Sequence, residues 1–287
     1  MGMIELLKGK PVSDQIKENV MQYIEKGNGS VPKLVILRVG DKPEDISYER
    51  SAAKKLSGMG IEVVSCVLSE DILQDDFKSE FAKINDDKSV DGILIMRPLP
   101  KHLKEAEQWM VLNIDPQKDV DGISPVNLAG IMRGDSEAFA PCTAQAVTEI
   151  IKGHGIELCG KNVTVIGRSM VVGKPLLMLL LKENATVTVC HTKTVDLPAM
   201  CRNADIVVAA AGRAALVDAS FVRGGQVLVD VGTNVDPEGN LVGDISMNDI
   251  ETAGIELKAT PVPGGVGVVT TAVLAEHVCT AWMKKIR

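Results

Sequence analysis

Residues 163–181 read VTVIGRSMVVGKPLLMLLL, and this stretch decides the interpretation of the second half of the chain. An apolar strand ends at Gly167, and Gly173 stands just before a helix that carries Pro175 in its first turn. The spacing departs from the GxGxxG fingerprint of dinucleotide-binding domains. The turn still leads into a helix N-terminus, whose free N–H groups favour a phosphate. The stretch predicts a nucleotide-binding βα unit, with an ordinary βα turn as the alternative.

Further short apolar runs follow at the spacing expected of such a domain. The predicted strands of this half are 162–166, 186–190, 205–211 and 226–231, with helical segments between them. Strands that recur about every 20 residues and alternate with helices are typical of a doubly wound, parallel nucleotide-binding sheet. We therefore expect a Rossmann-type NAD(P)-binding domain in the C-terminal half.

The N-terminal half shows a second α/β series. Strands are predicted at 33–39, 61–68 and 91–96, with helices at 47–59 and 74–86. The alternation predicts a parallel sheet with helices on its faces. Residues 98–141 are rich in Pro, Gly and Asp and are expected to form loops, which often carry function.

Together these patterns predict an α/β protein of two domains, each a mainly parallel sheet with flanking helices. A helix at 144–153 is expected to connect the domains, and a last helix is expected at 268–287. The expected division is 1–143 plus 268–287 for one domain and 144–267 for the other.

Composition limits the possible functions. The chain has 287 residues, is 45% hydrophobic and carries a formal net charge of −7, which excludes a disordered chain and argues against nucleic acid or an anionic membrane as partner. Prolines interrupt the long uncharged run 259–275, and the N-terminus lacks a signal peptide, so neither a transmembrane helix nor secretion is expected. The six cysteines form no CxxC pair and the four histidines lack metal-ligand spacing, which favours a cytoplasmic protein without a metal.

The strand at 186–190 helps to choose the cofactor. NAD sites usually carry an acidic residue about 20 residues after the glycine turn, where it binds the ribose 2′-hydroxyl. Here Cys190 is followed by His191, Thr192 and Lys193, and Arg168 lies in the turn itself. A cation with a hydroxyl suits the 2′-phosphate of NADP, so NADP is favoured over NAD. The alternative for Arg168 is a solvated surface residue.

Four separate motifs resemble one family, the methylenetetrahydrofolate dehydrogenase/cyclohydrolases. They are Asp119-Val120-Asp121-Gly122 with Pro125, Asn127 and Gly130; Pro141-Cys142-Thr143; Gly167-Arg168-Ser169 with Val172-Gly173, Pro175, Asn184–Thr188 and Cys190-His191; and Thr260–Gly267. Each motif alone is weak, but four in the family's order and at compatible spacings are specific.

The resemblance implies a homodimer that oxidises 5,10-methylenetetrahydrofolate with NADP, and a cleft with folate on the N-terminal side. It implies Tyr48 and Asp121 as catalytic residues. The substrate-binding positions it implies are Tyr48, Ala52, Ile95, Met96, Arg97, Pro98, Asp121, Pro263, Gly264, Gly265, Val266 and Gly267. The cofactor-binding positions it implies are Gly167, Arg168, Ser169, Gly173, Thr192 and Thr233.

Elementary chemistry supports parts of this assignment. The pterin ring presents a 2-amino group beside a ring nitrogen, and a carboxylate such as that of Asp121 can accept two hydrogen bonds from that edge. The alternative for Asp121 is a turn residue before Gly122. The glycines of 263–267 let the backbone approach a ligand closely, with a flexible hinge as the alternative.

The departures from the family pattern concern polar groups. The family has a lysine four residues after its tyrosine, and this chain has Ala52 at that place after Tyr48. At the position of the family's glutamine this chain has Met96, and at the position of the family's serine it has Asp45. Lys54 lies six residues after Tyr48, about 600° around a helix, and should point away.

The two family reactions differ in what they need. Dehydrogenation moves a hydride without a proton, so alignment of the reactants carries most of the burden. Cyclohydrolysis moves protons, and a positioned acid or base contributes about 10²–10⁴-fold. Because Ala52 and Met96 replace the lysine and the glutamine, we expect the dehydrogenase activity to be retained and the cyclohydrolase activity to be weak or absent. The alternatives are a bifunctional enzyme in which Arg97, Lys54 or Asp45 takes over, another NADP-dependent dehydrogenase similar to shikimate dehydrogenase, and a non-catalytic folate or nucleotide sensor.

Overall fold

The computed structural model describes residues 4–27 and 29–286, and it divides into two compact units. The first comprises the chain up to Asp14 together with Thr143–Thr270, and the second comprises Gln15–Cys142 and the chain from Thr271 onward. The N-terminal segment thus lies in the unit of the C-terminal sheet, whereas the sequence assigned it to the other domain. The cause is β1 (Ile4–Leu6), which pairs in parallel with β11 (Leu257–Ala259).

The first unit contains a six-stranded parallel sheet in the order β1-β11-β8-β7-β5-β6. Its other elements are β5 (Asn162–Ile166), α7 (Gly173–Lys182), β6 (Thr186–Cys190), α8 (Leu197–Arg202), β7 (Ile206–Ala209), β8 (Val227–Asp230) and α9 (Met247–Thr252), with the antiparallel pair β9 (Asn234–Val235) and β10 (Leu241–Val242). β7 and β8 are buried along their whole length, as expected for central strands rich in valine. The predicted Rossmann-type sheet is confirmed.

The second unit contains a three-stranded parallel sheet in the order β3-β2-β4. Its elements are β2 (Lys33–Val39), α2 (Pro43–Ser57), β3 (Glu62–Leu68), α3 (Gln74–Asp86), β4 (Gly92–Ile95), a 3₁₀ turn (Lys101–Leu103), α4 (Lys104–Asn113) and α5 (Pro125–Arg133). One core cluster packs β2 and β4 against α3 and α4, with Phe77 and Phe81 fully buried. The cluster includes Val39 and Ile95 at the carboxyl ends of β2 and β4, and Leu99 and Ile123 of the stretch 98–141 that was expected to form loops.

Three further helices contain or adjoin the unit boundaries: α1 (Gly9–Glu25), α6 (Cys142–Gly153) and α10 (Val266–Ile286). Helix α10 has 21 residues and a mean hydropathy of 1.4, enough in length and composition to cross a membrane. However, 67% of that segment is buried inside the protein, as in a core helix. The sequence analysis expected no span because prolines interrupt the run 259–275, and the structure places Pro261 and Pro263 before α10 begins at Val266.

Candidate active site

The loop that carries Asp121 in the second unit is organised by a neighbouring carboxylate. Asp119 is fully buried, and its Oδ1 accepts a hydrogen bond from the Ile123 N–H at 2.9 Å. Its Oδ2 accepts from the Ser124 N–H at 2.7 Å and from Asn127 Nδ2 at 2.9 Å. Burial raises the pKa of Asp119, and these donors oppose the rise. The acid is therefore structural, and it fixes the turn from which Asp121 projects.

Gly122 explains the close packing of this loop. It has φ +62°, in the left-handed region that favours glycine, and a Cβ there would lie 2.5 Å from the Phe139 carbonyl oxygen. The loop therefore lies directly against the chain before Cys142, and only glycine fits between them.

The charge of the Arg97 guanidinium acts on Asp121, whose carboxyl is also hydrogen-bonded by the thiol and the backbone N–H of Cys142. Burial of its carboxyl raises its pKa to about 6, although Arg97 and Cys142 both favour the ionised form. Because a pKa of about 6 still lies below 7, the carboxyl is mostly ionised at pH 7. An ionised carboxylate of this kind can accept two hydrogen bonds from a ligand.

Tyr48 of α2 lies near the same acid. Burial raises the pKa of the Tyr48 phenol well above its usual value of 10, and the negative charge of Asp121 acts in the same direction. The residue is still 41% exposed, so part of the side chain faces solvent. Tyr48 therefore remains protonated and can donate a hydrogen bond, but cannot serve as a base at neutral pH. The structure thus brings together three predicted site residues, Tyr48, Arg97 and Asp121.

The other predicted positions of this unit lie in different surroundings. Ala52 is 2% exposed on the inner face of α2, and Ile95 is buried in the core cluster of β2 and β4. Met96 is half-buried and Pro98 is exposed. Lys54 is exposed in the last turn of α2.

A buried ion pair that the sequence analysis missed anchors α2 beside Tyr48. Arg38 of β2 donates from Nε to Oε2 of Glu49 at 2.6 Å, and both side chains are 9% exposed. Arg38 also donates to the Gly40 carbonyl and to Asp41 Oδ1 at 2.8 Å. Since Glu49 follows Tyr48 directly, this pair helps to set the position of the phenol.

In the first unit, the turn between β5 and α7 has the close backbone packing that a phosphate site needs. Gly167 has φ +134°, and a Cβ on Gly173 would lie 2.2 Å from the Gly167 carbonyl oxygen. Arg168 and Ser169 are exposed, and Ser169 Oγ accepts from the Val172 N–H at 3.1 Å. The residues present therefore fit a phosphate-bearing cofactor held at the start of α7.

Thr192 and Thr233 follow the carboxyl ends of β6 and β8, and both are exposed. Thr194, rather than Thr192, closes the loop after β6, because its hydroxyl accepts from the His191 N–H at 2.8 Å. The hydroxyl of Thr192 is therefore not needed to close that loop.

Two buried carboxylates, which the sequence analysis also missed, shape the loops after β7 and β8. Asp244 accepts from the Gly212 N–H at 2.9 Å, and Asp230 accepts from the Gly232 N–H at 2.8 Å and from the Asp244 N–H at 2.9 Å. Burial raises the pKa of Asp230 to about 6 against these backbone donors. The network holds the loop that carries Thr233.

The segment 263–267 also belongs to the first unit. Gly264 has φ +103°, and its carbonyl oxygen accepts from the Gly9 N–H at 2.8 Å. A Cβ on Gly265 would lie 2.5 Å from the Pro261 carbonyl oxygen. Pro263, Gly264 and Gly267 are exposed, whereas Gly265 and Val266 are buried. The segment is thus packed closely at its centre, which does not support the hinge interpretation.

Comparison with known families decides what these two units are. Residues 7–121 match the catalytic domain of the tetrahydrofolate dehydrogenase/cyclohydrolases, and residues 141–286 match the NAD(P)-binding domain of the same family. The chain belongs to the tetrahydrofolate dehydrogenase/cyclohydrolase family. The family expected from the four motifs is confirmed, as is the NAD(P)-binding character of the C-terminal half.

Relatives match over nearly the full length. The bifunctional protein FolD of Clostridioides difficile is 50% identical over 279 residues, 96% of each chain, and that of Clostridium kluyveri is 48% identical over 287 residues, 99% of each. The crystal structure of the bifunctional enzyme FolD from Campylobacter jejuni has a TM-score of 0.93 at 36% identity and covers 99% of this chain and 100% of its own.

Two further structures bear on the cofactor and on the alternative family. The Trypanosoma brucei dehydrogenase-cyclohydrolase, complexed with NADP cofactor and inhibitor, has a TM-score of 0.92 at 32% identity and covers both chains fully. A shikimate dehydrogenase in complex with NADP⁺ reaches a TM-score of 0.50 at 13% identity, over 89% of this chain and 96% of its own, which shows the fold alone. Tetrahydrofolate dehydrogenase/cyclohydrolase is therefore the family on which the functional argument rests.

Proposed function

We propose that the protein catalyses the NADP-dependent oxidation of 5,10-methylenetetrahydrofolate to 5,10-methenyltetrahydrofolate. The observation that carries the proposal is the cluster of Tyr48, Arg97 and Asp121 in the catalytic domain of a dehydrogenase/cyclohydrolase. The Asp121 carboxylate accepts from the amino and ring N–H groups of the pterin, and the Tyr48 hydroxyl donates toward the substrate. NADP, when bound, supplies the carbon that accepts the hydride. The protein's part is to orient the folate, since no proton moves in this step.

We propose that Arg168 and Thr192 hold the 2′-phosphate of NADP. Both residues are exposed, and they follow the neighbouring strands β5 and β6. A guanidinium and a hydroxyl are suitable donors to a phosphate, and an acidic residue is lacking among residues 190–193. Gly167, Ser169 and Gly173 form the turn for the remaining phosphates, and Thr233 supplies a further hydroxyl.

We propose that cyclohydrolase activity is weak or absent. The position that carries a lysine in the family has a buried methyl group in Ala52, and the position of the glutamine has the thioether of Met96. Neither group can transfer a proton to or from water. Tyr48 remains protonated and cannot replace the missing base, and Lys54 is exposed in the last turn of its helix.

The test restores the missing groups. Ala52→Lys combined with Met96→Gln is expected to raise hydrolysis of 5,10-methenyltetrahydrofolate by about 10²–10⁴-fold, the usual contribution of a positioned acid or base. Met96→Gln alone is the matched control, and Lys54→Ala is expected to change nothing. A double variant that is folded and binds the methenyl substrate, but hydrolyses it no faster, would contradict the mechanism.

We also propose that the protein is a homodimer in the cytoplasm. Strand β3 is an edge of its sheet, with Val64 39% and Val67 50% exposed. An apolar edge strand offers unpaired backbone groups, and a second copy of the same edge would cover them. All six cysteines are free, which is consistent with a reducing compartment.

A further inference from the structure

A buried histidine of α10 lies against the loop that carries Asp121. His277 is 5% exposed, and its Nδ1 lies 2.8 Å from the Val120 carbonyl oxygen and 3.7 Å from Cys142 Sγ. Its ring centroid is 5.0 Å from that of Phe139. All four residues belong to the second unit. The imidazole thus contacts the carbonyl of the peptide bond that leads into Asp121.

The short contact to Val120 determines where the histidine carries its hydrogen. A carbonyl oxygen only accepts hydrogen bonds, so His277 must donate from Nδ1. Burial lowers the pKa of His277 to about 4, which leaves the imidazole neutral at pH 7 with its single hydrogen on Nδ1. The tautomer is therefore set by the backbone of the functional loop.

The Cys142 thiol has two acceptors and one hydrogen. Its Sγ lies 3.2 Å from the Val120 carbonyl oxygen, and it also hydrogen-bonds to the Asp121 carboxyl. The Val120 oxygen can accept from both His277 and the thiol, but because the imidazole already donates to it, the ionised Asp121 carboxylate is the stronger acceptor for the thiol hydrogen. Without the imidazole, the buried carbonyl would compete with the carboxylate for that hydrogen.

We propose that His277 is a positioning residue for Asp121, which it supports by satisfying the Val120 carbonyl and so directing the Cys142 thiol to the carboxylate. The role rests on the proposed function, in which Asp121 binds the pterin edge. His277 touches neither folate nor cofactor in this scheme. It acts through the thiol, so its effect falls on folate binding and on the titration of Asp121, and leaves the hydride step unchanged.

The kinetic test compares two substitutions. His277→Leu removes the donor and is expected to raise the KM for 5,10-methylenetetrahydrofolate about tenfold, the scale of one lost hydrogen bond, with kcat within about threefold. His277→Asn keeps an N–H donor at the δ position and is expected to keep KM within about threefold of the wild type. In a Cys142→Ala background, His277→Leu is expected to change KM by less than about twofold, because the thiol is already gone.

Nuclear magnetic resonance provides a test that does not depend on activity. Imidazole ¹⁵N shifts of the full-length wild type are expected to show neutral His277 with its hydrogen on Nδ1, and carboxyl ¹³C shifts to show a higher pKa of Asp121 in His277→Leu. A hydrogen on Nε2 alone, or an unchanged KM and Asp121 pKa in a folded His277→Leu variant, would overturn the inference. If the wild type shows the expected tautomer and His277→Leu shows the higher Asp121 pKa, but the wild type forms no NADPH, the proposed function is refuted instead.

Discussion

The buried pair of Arg38 and Glu49 offers a quantitative test of how α2 is held beside Tyr48. The two side chains meet at 2.6 Å and are each 9% exposed. Removal of one partner of a buried ion pair costs about 3–5 kcal/mol, because the other charge is left without compensation. Arg38 keeps the Gly40 carbonyl and Asp41 as acceptors, so the loss should lie near the lower end of this range. We therefore expect Glu49→Ala to lower the free energy of unfolding by about 3 kcal/mol, which is about a hundredfold in the unfolding equilibrium.

Urea unfolding followed by tryptophan fluorescence suits this test, since both tryptophans, Trp109 and Trp282, lie in the same unit as the pair. Glu49→Gln keeps an acceptor and should lose about 1–2 kcal/mol. The double variant Arg38→Met, Glu49→Leu removes both charges and should lie within about 1 kcal/mol of the wild type. Two results would refute the reasoning. One is a loss of less than about 1 kcal/mol in the free energy of unfolding of Glu49→Ala, and the other is a loss in the double variant as large as the sum of the losses in the two single variants.

Three further predictions concern the cofactor, the folate site and the dimer. Arg168→Ala should raise the KM for NADP about tenfold and leave that for NAD unchanged, because an exposed charge-assisted hydrogen bond to the 2′-phosphate is lost; equal effects on both cofactors would contradict the assignment. The pKa of Asp121 is about 6, so protonation should raise the KM for 5,10-methylenetetrahydrofolate as pH falls through 6, and Asp121→Asn should abolish that inflection in steady-state kinetics. Val67→Lys should shift sedimentation from dimer toward monomer, whereas Val195→Lys, a control at an exposed valine of the other unit, should not. An unchanged dimer in Val67→Lys would exclude the β3 edge as the dimer interface.

Strands β2 and β5 could be predicted from the sequence because their residues record burial on both faces, and the runs 33–39 and 162–166 coincide with them. The run 186–190 also coincides with β6, an edge strand in which exposed and half-buried residues alternate. Helix α2 begins at Pro43, four residues before the predicted start, because proline in the first turn can open a helix without a side-chain cap. Strand β1 was missed, since its partner lies about 250 positions away in the sequence and no local pattern reports so distant a pairing.

The candidate site was predicted unevenly for similar reasons. Tyr48 and Asp121 were expected from the family resemblance, whereas Arg97 departs from the family pattern, and the charges of Arg97 and Asp121 act on one another in the structure. Cys142 was noted only as part of the Pro141-Cys142-Thr143 motif, which did not indicate its contact with Asp121. His277 gave no signal, because its contact with the Asp121 loop joins elements about 157 positions apart.

Product analysis tests the central claim most directly. Purified protein is mixed with 5,10-methylenetetrahydrofolate and NADP, and the folates are separated by chromatography and identified by mass spectrometry. The account predicts 5,10-methenyltetrahydrofolate accumulating in step with NADPH. Formation of 10-formyltetrahydrofolate faster than in an enzyme-free methenyl control would contradict it, since another residue would then supply the proton transfer that Ala52 and Met96 cannot.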